Sequence, residues 1–433
     1  MHPHGRANSH GQQSPIASNP SIADCEGSDM QIIQISTYGF DRRYPSRPEF
    51  VLARTLAAQG HTVHAIEYWH DRTQPQVEVY APGLIIYRCR TFGFVSYDLW
   101  RFAWQIPKPD IIHVHHLRHL LAYQAQILWR GTVPMVLTPH GILHDGDLVV
   151  NREQPLDNPL TPEKLFMDEA ALWSALRAGK HPRRTFRNYF IHAPLLRYDG
   201  VFALSNHEKS IIGTLGVALD RITVIPNSIV LSQYQTPPPR VRASTPTLLF
   251  IGQLVPRKGW DILVDALPKV VATQPDITVI MVTHNTSQLE ALEARATALG
   301  VRAHIDIRTR VDEAHKVALL ESAHMLVAPS RYEGFGIPPI EAMAAGCAVI
   351  TTDCAAGNEI VTHMETGLLT RYNDPSDLAD AVLRLFGDNH LRSELVERGK
   401  VYVHATYDPD IVAHRTLAAY QSHITRVNQS TVL

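Results

Sequence analysis

Glu333 and Glu341 stand on either side of a glycine loop in the stretch PSRYEGFGIPPIEAMAAG, with Gly334, Phe335, Gly336 and the pair Pro338-Pro339 between them. A carboxylate can accept hydrogen bonds from two vicinal hydroxyls at once. Glycines let backbone N–H groups approach a ligand closely. Arg257 and Lys258 occupy a second loop, LVPRKGWDILVDAL, between a strand-like run and a helix N-terminus, where anions are favoured. A diphosphate beside Lys258 with hydroxyls beside the two glutamates describes a nucleotide sugar. Blander readings stand next to this one: two bases in a turn are often just solvated, and a carboxylate in a first turn complements the helix dipole. Pro339 is expected at the first helical position, which places Glu341 in the first turn.

These loops need strands and helices to hold them. MQIIQIS, HTVHAI, LIIYRC, DIIHVHH, MVLTPHG, GVFALSN and ITVIPNS are short apolar runs, each followed by a turn or a helical pattern. A second series comprises TLLFIGQ, ITVIMVT, AHIDIRT, HMLVAPS and AVITTD. Strands alternating with helices predict parallel sheets covered on both faces. The expected fold is α/β: two doubly wound Rossmann-like domains facing each other across a cleft at the carboxyl ends of their strands. Residues 29–233 form the first domain and 247–404 the second, joined by the Pro/Ser/Thr-rich linker 234–246. Residues 1–28 are polar and are expected to be a disordered tail, and helical residues 405–433 to pack back on the first domain.

At 433 residues the chain exceeds one ordinary core, and a net charge of −2 gives no global signal for nucleic acid. Cys25, Cys89, Cys347 and Cys354 form no CxxC pair, which fits a reducing compartment better than a disulfide scaffold. No signal peptide or bilayer-length apolar run is apparent. A soluble cytoplasmic protein is the expectation.

The segment SRYEGFGIPPIEAMAAGCAVITTDCAAGNEIVTHMETGLL resembles the E-x7-E signature of retaining GT-B glycosyltransferases of family 4. FIGQLVPRKGWDILVDAL, VIPNSIV, AAQGHTVHAI, DIIHVHH and VLTPHG fall in that family's order. The likeness is dense through residues 247–370 and looser before them. The resemblance implies that Glu333 lies against the donor sugar, with the amides of Phe335 and Gly336 holding it and Gly334 completing the loop. It implies that Glu341 takes the ribose hydroxyls, Lys258 the donor diphosphate, and that His140 of TPHG faces the donor sugar from the first domain. It further implies transfer with retention from a nucleotide-diphosphate-sugar to a saccharide or lipid-linked acceptor, in surface polysaccharide or glycolipid synthesis, with no metal or other cofactor.

The chain departs from the family pattern twice. Gln253 stands where the family has an arginine, leaving half of the diphosphate clamp missing or supplied by Arg257. Ser46, Arg47 and Pro48 replace a glycine pair in the first loop, where Arg42, Arg43 or Arg47 could restore positive charge. A catalytically silent nucleotide-sugar binder is therefore the alternative function. The histidines His113 to His116, with His119 and His140, also admit a metallohydrolase reading, opposed by the two-sheet pattern. Asp145 to Asp147, DGD, resembles a metal-binding DxD but reads as an ordinary loop, and no GxGxxG supports a dehydrogenase. Arg177 to Arg197 carries six bases, no acids and three aromatics. That composition is either a solvated helix face or a peripheral contact with the inner face of a membrane.

Overall fold

The computed structural model describes residues 29–37, 39–92, 95–143, 153–155, 159–234 and 243–431. The tail 1–28, Asp145 to Asp147, and residues 235–242 of the linker lie outside the described residues.

The first sheet contains β1 (Gln31–Ile35), β2 (Thr62–Tyr68), β3 (Val77–Ala81), β4 (Leu84–Cys89), β5 (Ile111–His115), β6 (Met135–Thr138), β7 (Gly200–Ala203) and β8 (Ile222–Val224). Its order is β3-β4-β2-β1-β5-β6-β7-β8. All neighbours are parallel except β3 and β4, an antiparallel edge pair. The edge strand β3 was not expected. Its VEVYA pattern is exposed or half-buried throughout, so it lacks the continuous apolar signal of its buried neighbours. The second sheet contains β9 (Thr247–Ile251), β10 (Thr278–Val282), β11 (Ile305–Arg308), β12 (Met325–Ala328), β13 (Ala348–Thr352) and β14 (Leu368–Thr370). It is parallel throughout, in the order β11-β10-β9-β12-β13-β14.

Helices cover both faces: α1 (Pro48–Ala58), α2 (Tyr97–Gln105), α3 (Leu120–Trp129), α4 (Glu169–Arg177), α5 (Pro182–His192) and α6 (Asn206–Thr214) accompany the first sheet. α7 (Trp260–Thr273), α8 (Leu289–Ala298), α9 (Glu313–Ser322), α10 (Ile337–Ala344), α11 (Gly357–Ile360), α12 (Pro375–Gly387) and α13 (Asn389–Tyr407) accompany the second. The last helix, α14 (Pro409–Thr431), returns to the first sheet. Its Val412, Ala413, Leu417 and Tyr420 share one apolar core with Ile32, Phe50 and Phe202. Burying Val412 and Leu417 contributes roughly 2 kcal/mol each, so α14 is an integral layer of that domain.

Candidate active site

The loops that carry Lys258 and Glu333 are built on Arg331, a residue that sequence reasoning passed over. Its guanidinium is buried and bidentate to Asp261 in the first turn of α7, at 2.8 and 2.7 Å. It also donates to Pro256 O at 2.7 Å and to Asn373 Oδ1, while its backbone N–H donates to Arg257 O at 2.7 Å. One side chain thereby fixes the Pro256–Lys258 turn against the loop that follows β12. A bidentate buried pair is among the strongest orienting contacts available. Gly259, at φ +65°, closes the turn so tightly that an added Cβ would meet Pro329 O at 1.9 Å.

Within this frame Lys258 Nζ hydrogen-bonds Glu333. Lys258, Arg257 and Gln253 line a cavity of about 350 Å³ together with Thr283, His284 and Pro338. Gln253 Nε2 lies 3.2 Å from His284 Nε2. The residue in the usual arginine's place therefore reaches the same cavity as the two bases.

The helix after the glycine loop starts earlier than expected. Gly336, at φ +95°, is the N-cap, Ile337 is the first helical residue, and Pro339 is the third rather than the first. Prolines fit here because the amides of a first turn have no intrahelical acceptor to lose. Glu341 consequently lies beyond the first turn, and its partner is a side chain rather than the helix dipole. Lys316 Nζ donates to Glu341 Oε1 at 2.7 Å and approaches Glu313 at 2.9 Å. Burial pushes the Glu341 carboxyl upward, and the Lys316 charge opposes that rise. Phe335 is buried against Tyr407, which leaves its amide as the part that can meet a ligand.

On the first domain, His140 follows β6 at φ +52°, a strained conformation for a non-glycine residue. Its Nε2 lies 2.9 Å from His115 Nδ1. Glu208 of α6, also absent from the sequence reading, holds the loop: its carboxylate accepts the amides of Gly141 at 3.2 Å, Ile142 at 3.1 Å and Leu204 at 2.7 Å. Burial, then the neighbouring His116 charge, lowers His140 to about 4. Burial likewise lowers His113 and His119 to about 3 and His115 well below its usual range. His113 bonds Tyr420 OH of α14 at 2.6 Å and Thr138 Oγ1 at 2.7 Å, so both its ring nitrogens serve the core. Among the described residues, no group of three or more His, Cys, Asp or Glu is arranged to hold a metal ion.

The three candidate arginines of the first loop separate. Arg42 pairs with Glu78 and lies over Tyr80, and Arg43 pairs with Asp41 and approaches Asp71 at 3.6 Å. Arg47 is the N-cap residue of α1 and lies 4.0 Å from Glu49, on the side of His140. The two domains touch where the loops meet. Ser205 Oγ donates to Gly334 O at 3.1 Å, and a Cβ on Gly334 would lie 3.8 Å from Gly141 Cα. Glu359 accepts the amides of Asn206 and His207, both at 2.7 Å, at the N-terminus of α6. These contacts bring His140-Gly141 over Glu333-Gly334. In the basic segment, Arg183, Arg184, Phe186, Arg187 and Phe190 of α5 are exposed. No helix of the described residues is long and apolar enough to cross a membrane.

Two facing Rossmann-like domains with parallel sheets define the GT-B class. The family described as Glycosyltransferase Family 4 matches residues 50–233, and Glycosyl transferases group 1 matches residues 236–402. The chain belongs to these GT-B glycosyltransferases. It is 35% identical over 182 residues to phosphatidyl-myo-inositol mannosyltransferase of Mycobacterium tuberculosis, covering 41% of this chain and 47% of that one. The match thus spans about half of that relative's length. Identity to Mycobacterium tuberculosis glycogen synthase is 29% over 316 residues, 72% of this chain and 69% of that one. Among solved structures, sucrose-phosphate synthase from Thermosynechococcus elongatus superposes with a TM-score of 0.66 at 20% identity, covering 91% and 99% of the two chains. Anabaena HepE in complex with UDP and glucose gives 0.65 at 18%, covering 91% and 100%.

Proposed function

We propose that this chain transfers a sugar, with retention, from a nucleoside-diphosphate-sugar to a saccharide or lipid-linked acceptor, without a metal ion. The observation that carries this reading is the pairing of Lys258 with Glu333 beside the cavity that Arg257 and Gln253 also line. An incoming diphosphate competes for Lys258 and frees the Glu333 carboxylate for sugar hydroxyls. As the glycosidic bond breaks, negative charge grows on the diphosphate, and fixed cations already in place stabilise it. Glu341 accepts from Lys316 and Tyr234, and its two oxygens keep acceptor capacity beyond those bonds, which suits a ribose. HepE's complex with UDP and glucose on the same fold supports a nucleotide-sugar donor. The names of the mycobacterial relatives support glycolipid or polysaccharide synthesis. A silent nucleotide-sugar binder is the reading that Gln253 and the Ser46-Arg47-Pro48 loop favour instead. Calorimetry with UDP, GDP, ADP and their sugar conjugates, with and without EDTA, followed by transfer assays, separates the two. One nucleotide bound in EDTA and turned over supports the enzyme, and binding without turnover supports the silent binder. No binding refutes both.

Peripheral membrane contact is part of the same proposal. The exposed Phe186 and Phe190 of α5 sit one turn apart among Arg183, Arg184 and Arg187, a mix suited to anionic lipid. Trp100 and Trp104 repeat the spacing on α2, with Trp104 87% exposed. Co-sedimentation with phosphatidylserine vesicles at low salt, lost in Phe186→Ser/Phe190→Ser, supports this contact, and no binding at low salt discards it.

A further inference from the structure

Glu49 is a carboxylate with almost no solvent contact, its side chain 3% exposed, at the second position of α1. Its Oε1 lies 3.3 Å from Ser36 Oγ, 3.5 Å from His116 Nε2 and 4.0 Å from Arg47 Nη1. Gly39 packs so closely that an added Cβ would overlap the carboxyl, at 2.3 Å from Cγ and 2.6 Å from Oε1. The carboxylate is therefore held in place from several sides. His116, by contrast, is 34% exposed, at the carboxyl end of β5 with φ +65°. Its ring centre is 4.8 Å from that of His140. With Nε2 turned to Glu49, Nδ1 is the nitrogen left for a ligand. His140 is poorly suited to take a proton, because it already bonds His115 and Asn227 and burial keeps it neutral.

We propose that Glu49 and His116 form a proton-accepting pair on the acceptor side of the cleft, with His116 the catalytic residue and Glu49 its positioning partner. This rests on the glycosyl-transfer reading above. The acceptor hydroxyl attacks on the face from which the diphosphate departs, as retention in one step requires, and gives its proton to His116 Nδ1 as its oxygen bonds the anomeric carbon. The bond from that carbon to the diphosphate oxygen breaks, and its electron pair leaves on the diphosphate beside Lys258. The imidazolium is stabilised by Glu49 until it returns the proton to the departing diphosphate or to water. A buried carboxylate behind a half-exposed imidazole is the arrangement by which hydrolases fix a histidine's tautomer and orientation and stabilise the imidazolium that forms.

The test uses full-length protein with the donor selected by calorimetry. Left-handed His116 tolerates glycine, so His116→Gly should bind nucleotide with unchanged Kd but lose transfer about 100-fold or more, and added imidazole should restore part of the rate. Glu49→Gln should lower kcat with acceptor KM held within a few-fold, a split that a general loosening of the fold would not produce. Unchanged transfer in both variants, or no imidazole rescue alongside a weakened nucleotide Kd, overturns the pair. Absence of nucleotide-sugar turnover by the unmodified protein refutes the underlying reading first, and the pair with it.

Discussion

Gly259→Ala should damage the proposed donor site without removing any side chain from it. The residue lies immediately after Lys258, at φ +65° and ψ +26°. A non-glycine residue in that region costs about 1–2 kcal/mol in backbone strain. The added Cβ would also stand 1.9 Å from Pro329 O and 2.8 Å from Pro329 C. Relieving that overlap requires a shift of about 1 Å between the Lys258 turn and the end of β12, and overpacking of this kind costs about 1–3 kcal/mol. The summed loss is about 2–5 kcal/mol. A movement of about 1 Å in a site of this kind costs on the order of 100-fold in rate. Gly300→Ala is the internal control, because Gly300 has φ +69° but nothing within 4 Å of a built Cβ. It should show the backbone strain alone, about 1 kcal/mol, with unaltered nucleotide binding. Thermal melts and nucleotide calorimetry on the two variants make the comparison. Equal melting temperatures and equal affinities would refute the claim that close packing against Pro329 positions Lys258.

Lys258→Ala and Glu333→Ala should each sharply reduce transfer while leaving circular dichroism unchanged, with about 100- to 1000-fold lost for the lysine; wild-type turnover in both would sink the site assignment. Lys316→Met should strand the buried Glu341 carboxylate at a cost of about 3 kcal/mol. Burial already holds the folded Glu341 carboxyl above its unfolded value, so the cost should ease as pH falls and the group takes a proton, and urea melts at pH 7 and 5 would show an unchanging deficit if this is wrong. Acid should weaken the first domain through His113, His115, His119 and His140, all held below the unfolded value of 6.5. Neutral rings are favoured in the folded state, so this stability is complete above pH 6.5 and is lost as pH falls toward 4. The loss is up to about 5 kcal/mol between pH 7 and 5.5. A flat urea-melt stability across that interval would contradict the assignment of these rings as buried and neutral.

The sequence by itself determined the alternation of strands and helices, because parallel strands buried on both faces read as short apolar runs. It also revealed the two loops at strand ends, since the glycines of EGFG and the Arg257-Lys258 pair stand out between an apolar run and a helical pattern. Local pattern was less informative where the signal was spread across the fold. β3 is half-exposed and paired in the opposite sense, so it left no apolar run to read. The start of α10 moved to Ile337 because Gly336, rather than a proline, makes the entry turn. Tertiary structure alone decided the partners: Arg331 with Asp261, Glu208 with the TPHG loop, and Lys316 with Glu341 each join residues distant in the chain. Arg42, Arg43 and Arg47 look equivalent in the sequence, yet Glu78 of β3 draws Arg42 away, Asp41 of the same loop holds Arg43, and Arg47 is left beside Glu49. Residue type limits what a side chain can do, but burial and the charge opposite it are properties of the packed chain.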